Sequence, residues 1–212
     1  MSIEIKICGL TNRDDVLAAL DAGADYAGFV LYPKSPRGIT ARTLARILDG
    51  IGRPLKAVGV FVNLPRPDVA MIALDSGLHA VQLNGDETPD DFDEFPLPLW
   101  RSVRLAEDAC RPEPEDWPVD RYVVDTAVPG AYGGTGKTAD WAAARPLARR
   151  HRVMLAGGLT PANVAAAIAS VAPMGVDVSS GVEAKPGQKD HSRIKAFIDA
   201  ARGASAACHA PR

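Results

Sequence analysis

Apolar positions along the chain follow two alternating rhythms. Short, dense runs of Val, Ile, Leu and aromatic residues are separated by stretches in which apolar residues recur every three or four positions. The dense runs at 3–8, 26–31, 56–62, 80–83, 99–103, 122–125, 153–156 and 175–179 read as strands. The intervening stretches read as helices. Thr11 is placed to cap the first, with Asp14 three residues on and Val16, Leu17 and Leu20 on its apolar face. Thr40 opens the second ahead of Leu44, Ile47 and Leu48, and Pro67 suits the first turn of the third, followed by Val69, Ile72 and Ala73. Segments 140–149 and 161–170 are Ala-rich and favour helix, and a last helix is expected over 191–202. The stretch 107–118 holds Pro112, Pro114 and Pro118 among several acids, so a loop or broken helix is expected there.

Strand alternating with helix implies an α/β fold with a parallel sheet. Eight strands is the number needed to close a single (β/α)8 TIM barrel, although an open doubly wound sheet alternates in the same way. No Ser/Gly-rich linker interrupts the pattern, so residues 1–202 are expected to form one domain, with 203–212 a frayed C-terminal tail.

Composition narrows the function classes. The 212 residues are 47% hydrophobic and 24% charged, ordinary for a globular chain with a sizeable core. A net charge of −2 offers no broad basic surface for nucleic acid, so no nucleic-acid partner is expected. The opening Met-Ser-Ile-Glu-Ile-Lys lacks the layout of a secretory signal, and no apolar run approaches a membrane span. Cys8, Cys110 and Cys208 are odd in number and far apart, which suggests neither a disulfide framework nor a zinc site. His79, His151, His191 and His209 show no ligand spacing, so no metal is expected, and a cytoplasmic location is the simplest reading.

The chemistry falls where strands end. Cys8 ends the first strand, Asn63 the third, Asn84 the fourth, Arg104 the fifth and Asp125 the sixth. Gly157-Gly158 follow the seventh, and Ser179-Ser180-Gly181 follow the eighth. In α/β barrels the loops at this C-terminal rim build the active site, and the turns after strands seven and eight commonly cradle phosphate. One Gly-Gly pair alone is more often a plain strand–helix turn; two such turns at these two strands favour an anion site. The Gly133–Thr138 segment ends in Gly-Lys-Thr like a Walker A loop, but the first glycine of that motif would fall at Ala131. It reads instead as a loop over the rim, with Lys137 either solvated or near an acidic substrate.

Cys8 and Asp125 are the candidate acid–base pair: a thiolate takes a proton and a carboxylic acid gives one. The plainer readings are a small buried hydrophobe for Cys8 and a cap or structural carboxylate for Asp125. Strand parity puts Lys6 on the same inward face as Cys8, either lowering the thiol's pKa or pairing with a core carboxylate. Arg37, between Pro36 and Gly38 beyond the second strand, has the fork to grip a carboxylate, or is a surface residue.

In order along the chain, Lys6–Thr11, Gly28-Phe29-Val30 with Ser35-Pro36-Arg37, Val58–Asn63, Val81–Glu87, Gly133–Thr138, Leu155–Leu159 and Gly175–Glu183 resemble the phosphoribosylanthranilate isomerase family. That resemblance implies an Amadori rearrangement of N-(5-phosphoribosyl)anthranilate to 1-(2-carboxyphenylamino)-1-deoxyribulose 5-phosphate, in tryptophan biosynthesis. It implies Asp125 as general acid, Cys8 as general base, Arg37 on the anthranilate carboxylate, and Gly157, Gly158, Ser180 and Gly181 around the phosphate. It also implies no cofactor, a small phosphoribosyl molecule as partner, and a monomer or homodimer. Many members carry His where this chain has Asn84, and Asn cannot titrate. The alternatives are another phosphosugar isomerase on the same scaffold and a non-catalytic phosphosugar-binding barrel; keeping both Cys8 and Asp125 argues against the latter.

Overall fold

The computed structural model describes residues 2–52, 54–106, 109–126 and 141–208. Eight strands pair in parallel and the first joins the last, closing the barrel. In ring order they are β1 (Glu4–Ile7), β2 (Tyr26–Val30), β3 (Lys56–Phe61), β4 (Ala80–Leu83), β5 (Leu99–Ala106), β7 (Arg121–Thr126), β8 (Val153–Leu155) and β9 (Gly175–Val178). Closure distinguishes this barrel from the open sheet that the sequence pattern left possible. The remaining strand in the series, β6 (Ala109–Arg111), folds back antiparallel on β5. It accounts for the expected break in the fifth connection. The prolines there end regular structure, and a 3-10 turn at Pro114–Asp116 replaces a helix.

The helices are α1 (Arg13–Ala22), α2 (Ala41–Leu48), α3 (Arg66–Asp75), α4 (Trp141–Arg150), α5 (Val164–Val171) and α6 (His191–Cys208). Thr40 caps α2 as expected, accepting from the Thr43 amide. Asn12 rather than Thr11 caps α1. Its Oδ1 accepts from the Asp15 amide, while its Nδ2 donates to the Asp15 carboxylate. The Thr11 hydroxyl instead donates to the Gly187 carbonyl at 2.6 Å. The last helix also departs from expectation. It does not stop at Arg202 but runs on to Cys208, through small helix-compatible residues. Ser205 Oγ accepts from the Ile3 amide, and Arg202 pairs with Asp25 at 2.7 Å, so the C-terminal helix is tied to the start of the chain. No helix among the described residues is long and apolar enough to cross a membrane.

Two cores result from the alternation of strand side chains. Outward residues such as Ile5, Ile7, Val81, Val124 and Val176 pack against the helices. Inward residues Tyr26, Val58, Ala80, Trp100, Val123, Met154 and Ala156 fill the barrel. At the N-terminal end Arg121 pairs with Glu4, donates to the Tyr26 hydroxyl at 2.9 Å, and lies 5.0 Å from the Trp100 ring centre. That charge is therefore compensated where it is buried. This plug seals one end and leaves the C-terminal rim to hold a ligand.

Candidate functional site

A cavity of about 310 Å³ opens at the C-terminal rim. Cys8, just past β1, and Asp125, near the end of β7, both line it. In the ring, β8 and β9 lie between their strands. Asn84, Gly157, Gly158, Ser180 and Arg37 also line the cavity. Most of the rim residues singled out by strand position thus share one space. Asn63, Arg104 and Gly181 are not among the lining residues. Asn63 turns to the loop after β4, donating to Asp86 at 3.1 Å and accepting from the Asp86 amide at 2.6 Å. The 127–140 segment, with Lys137, lies outside the described residues.

Beneath the cavity is a polar layer. Lys6 is 0% exposed, and its ammonium donates to both Asp177 oxygens at 3.1 Å and to Gln82 Oε1 at 3.0 Å. Gln82 Nε2 donates in turn to Ser102 Oγ at 2.9 Å. Gln82, Ser102 and Asp177 form the cavity floor. The ion pair settles the Lys6 question in part, since a core carboxylate is its partner. Proximity to Cys8 holds as well. A Cβ on Gly28 would lie 2.9 Å from both Cys8 Sγ and Lys6 Cε, so the two side chains converge over that glycine. Burial works against the charge on Lys6, but Asp177 and Cys8 outweigh it and hold the ammonium above its ordinary pKa. Cys8 is 8% exposed; burial pushes its thiol up, and Lys6 pulls against that without reversing it. The Cys8 amide donates to the Val178 carbonyl at 2.8 Å, which fixes the sulfur's position over the floor.

Arg37 stands on a tight loop. Its amide donates to Ser35 Oγ at 3.2 Å, and the Gly38 amide donates to the Ser35 carbonyl. Arg37 also has a partner that the sequence did not announce. Arg37 Nε and Nη2 donate to the two oxygens of Glu183, at 2.8 and 2.7 Å. Lys189 Nζ donates to Glu183 Oε1 at 2.9 Å and to the Ser179 carbonyl at 3.1 Å. Burial alone would raise the Glu183 carboxyl, but the Arg37 hydrogen bond and the Lys189 charge bring it below the usual carboxylate range. Glu183 and Lys189 sit on a small hairpin after β9, β10 (Glu183–Lys185) with β11 (Gln188–Lys189). Nothing periodic in the sequence marks this excursion. Gln82, Ser102 and Asp177 left a clearer trace, as polar residues at inward positions of apolar strands.

The two glycine-bearing turns meet beside the cavity. Gly157 and Gly158 adopt φ of 82° and 65°, left-handed values that suit glycine. The turn does not pass straight into α5. Asn163 accepts from the Thr160 amide at 2.7 Å and donates to the Gly158 carbonyl at 2.9 Å, and helix begins at Val164. Gly181 is packed closely against the first turn. A Cβ there would fall well inside contact distance of the Leu159 carbonyl oxygen. Gly181→Ala is therefore expected to destabilise the chain by about 1–3 kcal/mol, the usual cost of overpacking. The 157–160 turn must move to admit the methyl group, and thermal melts check the loss of stability.

A profile of the family described as N-(5'phosphoribosyl)anthranilate (PRA) isomerase matches residues 5–200. The N-(5'-phosphoribosyl)anthranilate isomerase of Trichlorobacter lovleyi is 43% identical, over 95% of this chain and 99% of that protein. That of Roseiflexus castenholzii is 47% identical over the same shares. The crystal structure of phosphoribosyl anthranilate isomerase from Thermus thermophilus superimposes with a TM-score of 0.84 at 34% identity, covering 93% of this chain and 98% of that one. A second structure of such an isomerase, in complex with reduced 1-(o-carboxyphenylamino)-1-deoxyribulose 5-phosphate, gives 0.80 at 36% identity, covering 95% and 99%. With a closed eight-stranded barrel, one rim cavity and near-complete matches of this kind, the chain belongs to the N-(5'-phosphoribosyl)anthranilate isomerase family.

Proposed function

We propose that this cavity catalyses the Amadori rearrangement of N-(5'-phosphoribosyl)anthranilate in tryptophan biosynthesis, with Asp125 as general acid and Cys8 as general base. Asp125 protonates the furanose oxygen as the C1–O bond breaks, and the anthranilate nitrogen's lone pair forms the iminium. The Cys8 thiolate removes the C2 proton, and the electron pair flows to nitrogen, giving the enolamine. A proton taken up at C1 and loss of the enol proton yield the ketone. The substrate's nitrogen is the electron sink, so the sequence of steps is complete without a cofactor. The observation that carries the reading is that Cys8, Asp125 and the Gly157-Gly158 and Ser180 turns line the same cavity.

Gly157, Gly158 and Ser180 hold the phosphate through backbone amides, with Gly181 behind them setting the spacing of the turns. Arg37 grips the anthranilate carboxylate, and its two Glu183 contacts leave Nη1 uncommitted to that partner. Arg37→Met is expected to raise KM roughly 10–100-fold, the weight of hydrogen bonds to a charged group, with a smaller effect on kcat. Arg37→Lys should recover little, because an ammonium presents no fork. The function itself is tested by incubating the purified chain with the substrate and following the loss of anthranilate fluorescence. Turnover supports the assignment, and no turnover by a folded, monodisperse sample contradicts it.

A further inference from the structure

The polar floor of the cavity is an unusual use of a barrel interior. Burying an ammonium is costly, and apolar side chains would fill the same space more cheaply. Lys6 and Asp177 are direct cross-strand partners between β1 and β9, and Gln82 and Ser102 complete the hydrogen-bonding of the layer. Cys8 follows Lys6 by two positions on the same face of the chain, so the ammonium lies one layer below the sulfur. Their convergence at Gly28 leaves no room there for a β-carbon.

Other charged groups surround Cys8, and they are differently placed. Arg37, from the loop after β2, and Lys189, from β11, both donate to Glu183, whose single carboxylate offsets one of the two charges; Lys189 also favours the Cys8 thiolate, more weakly than Lys6 does. Asp125 of β7 shares the cavity, and Arg104 of β5 lies beside Asp125 in the strand register. Asp177 is the carboxylate paired with Lys6, and it lines the cavity as Cys8 does.

We propose that Lys6 and Asp177 act as a pair of positioning residues that set the ionisation of Cys8, the ammonium favouring the thiolate and the carboxylate limiting how far that effect reaches. The inference deepens the assignment of Cys8 as base and rests on that reading for its catalytic meaning. Burial pushes the thiol up, Lys6 is the largest opposing influence, and Asp177 acts in the same sense as burial. The two residues therefore have opposite signs. Removing the ammonium leaves burial opposed only by the weaker pull of Lys189; removing the carboxylate's charge takes away an anion facing the sulfur, and the Cys8 thiolate replaces it as the counter-ion that keeps Lys6 charged.

The test is the pH dependence of iodoacetamide alkylation at Cys8, read by mass spectrometry of its peptide in wild type, Lys6→Met and Asp177→Asn. Lys6→Met should move the Cys8 titration to higher pH, by about one unit or more, a tenfold loss of thiolate at fixed pH below it. Asp177→Asn, nearly isosteric and still a hydrogen-bond acceptor for Lys6, should move it to lower pH. An unmoved titration, or shifts of the same sign in both variants, overturns the proposal, since a purely structural pair gives no opposed shifts. If Lys6→Met does not fold, Asp177→Asn decides alone: a downward shift supports the pair, and no shift or an upward one overturns it. The base assignment is separated by the pH profile of kcat/KM. Opposed alkylation shifts with an unchanged kinetic profile would remove Cys8 as base while leaving the pair's effect on the thiol established.

Discussion

Cys8→Ala is expected to lower kcat by roughly 10²–10⁴-fold, the usual weight of general base catalysis. The substitution removes the group assigned to accept the C2 proton and leaves the floor of Lys6, Asp177, Gln82 and Ser102 in place. KM should change little, because neither the turns proposed to hold the phosphate nor Arg37 is held in place by the sulfur. Cys8→Ser should be about as inactive as Cys8→Ala. A hydroxyl keeps the size and a hydrogen bond but not an ionisable group in the working range. Steady-state fluorescence kinetics with melting curves alongside read both quantities. A kcat within a few-fold of wild type would remove the base role from Cys8.

Asp125→Asn should cost a similar roughly 10²–10⁴-fold in kcat for a different reason. Asparagine preserves the shape and donates a hydrogen bond, but it has no proton to transfer to the departing ring oxygen. The loss falls on ring opening rather than on C2 deprotonation. The two variants are therefore distinguishable by starting from an acyclic imine analogue of the substrate. On that analogue Asp125→Asn should recover most of its activity and Cys8→Ala should not. Equal losses for both variants on cyclic and opened substrates would contradict this division of labour.

The parts of the fold that depend on local pattern were readable from the chain. Fully buried parallel strands appear as compact apolar runs, and all eight barrel strands lie where such runs occur. The pairing of β1 with β9 was not readable, because it joins distant segments, Glu4–Ile7 and Gly175–Val178, and no local pattern links them. Local competition explains the α1 cap. Thr11 and Asn12 are both capping residues, and the Asp15 carboxylate three positions after Asn12 favours the latter. In the site, Cys8 and Asp125 were legible because strand termini project onto one rim, and Lys6 because of strand parity. Glu183 and Lys189 reach Arg37 from an irregular hairpin, and no period or spacing links them to it. Gly181 was legible as a turn residue but not as the packing point between two turns, which depends on where Leu159 lies in space.

The proposed mechanism requires the rim cavity to hold a phosphoribosyl substrate with Cys8 and Asp125 both on its reacting atoms. A crystal structure of this chain with reduced 1-(o-carboxyphenylamino)-1-deoxyribulose 5-phosphate tests it most directly. The phosphate is expected against Gly157, Gly158 and Ser180, the benzoate against Arg37, and the carbon corresponding to C2 beside Cys8 Sγ, with Asp125 within hydrogen-bond reach of the sugar oxygens. A ligand bound elsewhere, or bound here with either side chain out of reach of those atoms, would contradict the account.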